Sequence, residues 1–475
     1  MAALKTVQLP AFPLDRFEPA IGAQRLARFK EIGEIARKKF AGRAVWNVNS
    51  TATGGGVAEI LHGLLPYARG SGVDARWVVI EGDAEFFAIT KRIHNGLHGL
   101  TVPEGPPGNK DRPHYEAIMK KNAEKLCQII SPGHMVILHD PQTAGLVSSL
   151  VQHGALVLWR CHIGHDDHEG VIDETWEFLR PYVKDAHGYV FSRGAYAPPW
   201  IDAARTSTVA PSIDPFSAKN QAMNRSTVLA IVRQTGLVED GKGIGSPVFC
   251  RQDGTLGTIT RRAEIMSDGH MPRSNTPLVV QVSRWDRLKD MLGVMEGFTA
   301  HVNGVSDAHL ALVGPDISGV KDDPEGAEVL DECQAAWRAL PDAKRGRVHL
   351  VSLPMDDLEE NGAMVNAIQR FAHVVVQKSL YEGFGLTVTE AMWKGRAIVA
   401  SQVGGIQDQI VNGKHGLLVG DPEDLDQFGA LLRRLLTDSA LAQRLGRNAR
   451  RRAIAKFLGV RQLAQYVEIF SNIQN

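Results

Sequence analysis

The chain has 475 residues, 44% of them hydrophobic and 22% charged, with Lys+Arg and Asp+Glu equal at 53 each. A single core stops growing at about 250–300 residues, so two large domains are expected, and the composition is that of a globule and not of a disordered polymer. With a formal net charge of zero there is no overall field to draw nucleic acid or an anionic membrane, so neither is expected as a partner and any anion site must be local.

Cys127, Cys161, Cys250 and Cys333 lie far apart without a CxxC spacing, which suits free thiols in a reducing compartment and gives a cytoplasmic expectation. The N-terminal stretch has no apolar core of signal-peptide length, being interrupted by Pro10 and Pro13. No stretch elsewhere reaches the roughly 18 uninterrupted apolar residues of a membrane span.

In chain order, residues 22–40 carry apolar positions at helical spacing, and AVWNVN follows as a short buried strand. Further apolar runs at 75–82, 134–140, 155–162 and 188–193 alternate with helix-like segments. A second series runs through 277–285, 308–315, 347–353, 373–379 and 397–401. Runs that are apolar on both faces and separated by helices predict parallel strands, hence two α/β sheets. Between the series, residues 237–276 are rich in Gly and turn residues and read as an excursion or hairpin. The tail from about 438 to 475 is again helical.

Four segments are candidates for chemistry. After the first strand, Gly54, Gly55 and Gly56 precede a helical run; they suit a tight turn or a close approach of phosphate to free N–H groups at the helix start. GxGxxG and a Walker lysine are both absent, which argues against a plain dehydrogenase. In QKSLYEGFGLTVTEAMWKG, Glu382 and Glu390 flank Gly383 and Gly385 at a strand-to-helix junction, the rim where open α/β sheets bind ligands. Such carboxylates accept hydrogen bonds from sugar hydroxyls, while Glu390 also suits the helix macrodipole. In VSRWDRLKD, Arg284 and Lys289 follow a strand and suit a diphosphate, or simply a solvated surface. CHIGHDDHEG repeats His162, His165 and His168 every third residue beside two aspartates; a polar loop is favoured there over a metal site.

Together, EGFGLTVTE and SRWDRLK resemble the E-x7-E signature and basic pair of retaining glycosyltransferases of the GT-B type. NSTATGGGVAEIL, HDPQTAGL, WRCHI and APSIDPFSAKN tighten the resemblance to the trehalose-forming glycosyltransferring synthases, over most of residues 40–455. The resemblance implies two Rossmann-like α/β domains with parallel sheets facing across a deep cleft. The acceptor-side domain would span 1–215, with the helix of about 456–475 packing back onto it. The donor-side domain would span 216–455, with an insertion at about 237–276.

Carried over by motif, Arg284 and Lys289 would meet the donor diphosphate, Glu382 the transferred glucose, and His162 the donor glucose. Glu390 would take the ribose hydroxyls. Main-chain groups of Gly383, Phe384, Gly385 and Leu386 would hold donor phosphate and sugar, and Gly55 and Gly56 would approach phosphate or acceptor. Glu81, Asp83, Asp140 and Gln142 would contact the acceptor. The implied reaction moves glucose from NDP-glucose to free glucose, giving α,α-trehalose, with no cofactor and no required metal. The implied partners are nucleotide sugar, glucose and trehalose, and a homodimer is left open. Alternatives are a trehalose phosphorylase, a related glucosyltransferase with another acceptor, and a noncatalytic sugar-nucleotide sensor.

Overall fold

A computed structural model describes residues 4–473 except 102, 241–244, 303, 305 and 318–323. The chain forms two units, Met1–Ser212 with Phe457–Asn475, and Ile213–Lys456.

The first unit is built on a sheet of β1 (Lys5–Thr6), β2 (Val45–Asn49), β3 (Ala75–Val79), β4 (Met135–His139), β5 (Leu156–Cys161), β6 (Gly188–Phe191) and β7 (Thr206–Thr208). Its order is β1-β3-β2-β4-β5-β6-β7, and only the edge strand β1 is antiparallel among the described residues. Every residue of β2 and β4 is buried, as parallel strands covered by helices on both faces require. The helix Gly56–Gly70 that follows β2 buries Ala58, Leu61, Leu65 and Ala68 on one stripe, the 3.6-residue period made physical. The C-terminal helix Gly459–Ile473 belongs to this unit, burying Tyr466 and Phe470 beside Phe40 and Leu64, with Phe40 and Phe470 rings 6.1 Å apart. Each such burial is worth about 1.5–3 kcal/mol. Arg461 of that helix donates to the carbonyl of Ala210 at 2.7 Å, and Ser212 Oγ donates to Gln462 Oε1 at 2.6 Å.

In the second unit, β8 (Val248–Cys250) and β9 (Leu256–Thr258) pair as a separate antiparallel hairpin. The main sheet contains β10 (Glu264–Met266), β11 (Leu278–Val282), β12 (His309–Pro315), β13 (Val348–Leu353), β14 (Val374–Gln377), β15 (Ala397–Ser401) and β16 (Leu417–Val419). Their order is β10-β13-β12-β11-β14-β15-β16, parallel apart from β10. The glycine-rich excursion thus supplies a hairpin and an edge strand of the framework; its residues 241–244 lie outside the described residues. The hairpin is tied to the helix Leu358–Phe371 by Arg251, 2.6 Å from Asp357 Oδ2, and by Glu360, which accepts the Thr260 N–H at 2.6 Å.

Both sheets share one topological device. β2 is flanked by β3 and β4, and β11 by β12 and β14, so strand order reverses beside each. The loops leaving the carboxyl ends of such strand pairs diverge to opposite faces and leave a crevice for ligands.

Candidate active site

At the β11/β14 reversal of the second unit, side chains from the two loops that leave the strands meet. Beyond β11, Asp286 caps the turn Arg287–Lys289 by accepting the Leu288 N–H at 2.9 Å, and Arg284 Nη2 lies 2.8 Å from Asp286 Oδ2. Lys289 Nζ reaches Glu382 Oε2 on the loop after β14 at 2.8 Å, with the two side chains 15% and 12% exposed. Ser379 Oγ donates to the same carboxylate oxygen at 3.2 Å and accepts from Gln377 Nε2 at 3.0 Å; Thr387 Oγ1 then donates to Gln377 Oε1 at 2.7 Å. Glu382 is therefore fixed from two sides by a charge and a hydroxyl. Gly385, at φ 84, is the N-cap of the helix Leu386–Trp393, so the glycine-containing turn delivers that helix start beside Glu382. Phe384 is buried beneath the turn.

The structure brings Lys289, Glu382 and the Gly383–Leu386 turn together, with Arg284 on the same loop as Lys289 but directed to Asp286. Glu390 lies inside the helix with no exposed surface, and its Oε1 is 2.8 Å from Lys219 Nζ. Lys219 sits in the APSIDPFSAKN segment. That segment is stapled by Asn366, which donates to the carbonyls of Ala218 (3.0 Å) and Gln221 (2.9 Å), and by Trp393, which donates to that of Asn220 (2.8 Å).

In the first unit, the β2/β4 reversal collects a different set. Asp140, directly after β4, has φ 64 and ψ 177, a region essentially reserved for glycine and costing about 1–3 kcal/mol. Hydrogen bonds hold it there: its N–H donates to the Arg160 carbonyl at 2.8 Å, Oδ1 accepts the His162 N–H at 2.7 Å, and its carbonyl accepts from Trp159 Nε1 at 3.2 Å and from the Thr143 N–H and Oγ1 at 3.1 Å each. Burial pushes the Asp140 carboxyl up to about 7, against the pull of that N–H and of Arg160. His139 Nδ1 and His162 Nε2 are 3.0 Å apart, and His139 Nε2 is 3.1 Å from Asn47 Oδ1. Burial, reinforced by Arg160, pushes His139 down to about 3 and His162 well below the usual histidine range, so both rings are neutral. With the Asn47 amide as oriented, His139 donates through Nε2 and accepts at Nδ1 from His162 Nε2–H, which leaves His162 Nδ1 an acceptor. Among the described residues that Nδ1 meets no hydrogen-bond partner.

Gln142 follows on the short helix Pro141–Leu146 and is half-buried. Gly55, φ 77, is the N-cap and Gly56 the first residue of the helix after β2. Glu81 and Asp83 lie beyond β3 with their carboxylates engaged: Glu81 with Lys125 Nζ at 2.5 Å, Asp83 with the Phe86 N–H at 2.9 Å and His114 Nε2 at 2.8 Å. The three histidines of CHIGHDDHEG part company, since His162 turns to His139, His165 Nδ1 accepts from the Asp167 N–H at 3.0 Å, and His168 lies 2.8 Å from the Ala195 carbonyl. No group of three or more His, Cys, Asp or Glu side chains is placed to hold a metal ion among the described residues. Nor is any described helix long and apolar enough to cross a membrane.

Sequence reading passed over His139, Lys219, Ser379 and the pair Asp290 and Lys378. The polar residues that end the apolar run VVVQKS were the available signal for Lys378 and Ser379.

Comparison with known proteins bears on these two sites. Residues 47–198 match the family described as trehalose synthase, N-terminal domain, and residues 352–452 match glycosyl transferases group 1. The chain is 31% identical to the trehalose synthase of Pyrococcus horikoshii over 97% of its own length and 96% of that protein's. It is 33% identical to the trehalose synthase of Rubrobacter xylanophilus over 94% of each. Among solved structures, the trehalose-6-phosphate synthase OtsA superposes with a TM-score of 0.67 at 13% identity, covering 90% of this chain and 99% of that one. The two Rossmann-like units are those of the GT-B fold.

Proposed function

The chain belongs to the trehalose synthase family, a group of GT-B glycosyltransferases, and from that premise we propose that it transfers glucose from a nucleoside-diphosphate glucose to free glucose, forming α,α-trehalose with retention. The observation that carries this reading is the 2.8 Å pair of Lys289 and Glu382 at the strand-order reversal of the second sheet, with Arg284 on the same loop. A diphosphate bound there would draw on both cations, and Glu382 would accept hydrogen bonds from the glucose hydroxyls. Glu390 would take the ribose hydroxyls. In the first unit, the unpartnered lone pair of the buried His162 Nδ1 would accept a sugar hydroxyl, and Asp140 and Gln142 would contact the acceptor. With Glu81 and Asp83 already engaged by Lys125 and His114, we assign them the outer part of that subsite.

In the step itself, the bond from the anomeric carbon to the diphosphate oxygen breaks and a bond to the acceptor hydroxyl oxygen forms on the same face. The hydroxyl proton passes to the departing diphosphate. A retaining glycosidase uses a carboxylate nucleophile instead. Here Glu382 is bound by Lys289 and Ser379, and Asp140 is drawn towards its neutral form, which favours front-face departure. Charge growing on the diphosphate would be met by Arg284, Lys289 and the N–H groups at the start of the helix Leu386–Trp393, each preorganised donor worth about 3 kcal/mol. On this reading no bound metal is required.

The test is a panel of ADP-, UDP- and GDP-glucose against glucose and other sugar acceptors, run with and without EDTA, with product linkage assigned by NMR. α,α-Trehalose from a nucleotide sugar and glucose is the expected product. Trehalose cleaved by inorganic phosphate, with no reaction from any nucleotide sugar, would replace this reading with a phosphorylase.

A further inference from the structure

We infer that the buried ion pair of Asp290 and Lys378 is a positioning device that holds Lys289 at the donor site, an inference that rests on the donor role proposed above for Lys289. Lys378 closes the apolar run of β14 with its side chain 1% exposed, and its Nζ meets Asp290 Oδ2; the Asp290 side chain is 17% exposed. Asp290 directly follows Lys289 and has φ 49 and ψ 51, a left-handed conformation that an L-residue with a Cβ disfavours. Its carboxylate offsets that cost by accepting the Gly293 N–H at 3.0 Å as the N-cap of the helix Met291–His301. The arrangement also bears on the residue three positions on, because a Cβ at Gly293 would stand 2.3 Å from Asp290 Oδ2.

A second link runs beside the first. Gln281 of β11, fully buried, accepts the Lys378 N–H through Oε1 at 3.0 Å and donates through Nε2 to the Lys289 carbonyl at 2.6 Å. Lys378 is thus tied to two consecutive residues, to the main chain of Lys289 through Gln281 and to the side chain of Asp290 directly. The backbone on either side of the Lys289–Asp290 peptide is pinned to the end of β14, the strand whose following loop carries Glu382. Lys289 Nζ is thereby presented to Glu382 and to whatever anion binds beside it.

Stability alone does not account for the pair. Desolvating two charges is costly, and an apolar residue of similar volume in place of a buried ion pair is often neutral or stabilising. Glycine at 290 would adopt the left-handed turn without strain, and methionine at 378 would fill the space of the lysine stem. What the charged pair adds is a fixed direction between two loops that meet at the donor site. Neither residue is assigned a contact with substrate; both act through Lys289.

The test uses the full chain with D290N, K378M and the double variant; asparagine keeps both the left-handed turn and the cap while removing the charge. Assayed well below the unfolding temperature, each single variant should lower kcat/KM for the nucleotide sugar and weaken UDP or ADP binding by about tenfold or more, with the KM for glucose changed less than about twofold. Hydrogen exchange over 286–293 should quicken in both. The double variant should lose less than the product of the two single losses, as expected of partners. Lowered thermal stability with native donor kinetics and native exchange would overturn the proposal, and so would strictly multiplicative losses. K289A separates the two readings. If it leaves nucleotide binding intact, the donor role of Lys289 fails and the proposal with it, whereas an effective K289A beside native D290N and K378M sinks the proposal alone.

Discussion

At the carboxyl ends of β11 and β14, acidic and basic side chains meet as ion pairs: Lys289 with Glu382, Lys378 with Asp290, and Arg284 with Asp286. The carboxyl ends of β4 and β5 in the other unit, beside the β2/β4 reversal, hold titratable groups whose charge is suppressed, with His139 and His162 kept neutral and Asp140 raised to about 7. Both sites sit at the same topological position of similar sheets, so the backbone plan does not set their electrostatics. Side chains do. A site of paired charges can exchange one partner for a substrate anion at modest cost. A site of neutral rings and an acid drawn towards its neutral form suits uncharged hydroxyls, because a buried polar group is costly unless it is hydrogen-bonded.

The largest expected effect breaks the charged half. Arg284→Ala or Lys289→Ala should depress kcat by about 100-fold to 1000-fold, the scale of one lost preorganised donor, while the glucose KM stays near the parental value. Steady-state kinetics with each substrate varied in turn decides it. An unchanged kcat with a raised glucose KM would move the cation out of the donor site and dissolve the contrast between the units.

A smaller effect, in stability, sharpens the neutral half. His139 is lowered from 6.5 to about 3, so its contribution is present above 6.5 and is lost as pH falls towards 3; His162 acts in the same direction. Asp140 is raised from 3.8 to about 7, so its contribution has the opposite sign, present below 3.8 and lost as pH rises towards 7. In H139N the deficit in melting temperature relative to the parent should therefore be largest near neutral pH and shrink on acidification. D140N should show its largest deficit in acid and lose it as pH rises. Parallel melting profiles for parent and both variants would mean that burial does not control these groups.

How legible these sites were in the sequence follows from how their residues are arranged along the chain. β2, β4, β11 and β14 were readable because a strand covered on both faces is a continuous apolar run. The helix after Gly55 and the one after Gly385 were readable from glycine followed by helical spacing. The edge strands β1, β7, β10 and β16 were not, since two or three residues carry no periodicity. Partnerships were less legible still. Asp290 and Lys378 are 88 positions apart, and only the parallel pairing of β11 with β14 makes them neighbours. Glu390 lies at the strand-to-helix junction that the motif indicated, yet its burial against Lys219 depends on the distant staple of residues 218–221. The strain at Asp140 left no trace, because aspartate before proline is an ordinary turn pair and nothing local announces a positive φ.

The smallest expected effect concerns the glycines that join β2 to its helix, and it asks whether the neutral site needs a bare backbone for folding or for a ligand. Gly55 has φ 77 and ψ 158, and among the described residues a Cβ built there meets no atom within 4 Å beyond its chain neighbours. Nothing among the described residues therefore obstructs Gly55→Ala, and its cost is the backbone conformation alone, about 1–3 kcal/mol. Denaturant unfolding should show a lower midpoint with an unchanged slope, since the exposed surface is the same in parent and variant. The informative quantity is activity measured far below that midpoint. If the open space beside Gly55 is where a phosphate or sugar approaches the main chain, the methyl group will raise the KM of that substrate well beyond what the stability loss explains. If only the midpoint moves, Gly55 is a turn residue, and ligand recognition in this unit falls to His162, Asp140 and Gln142.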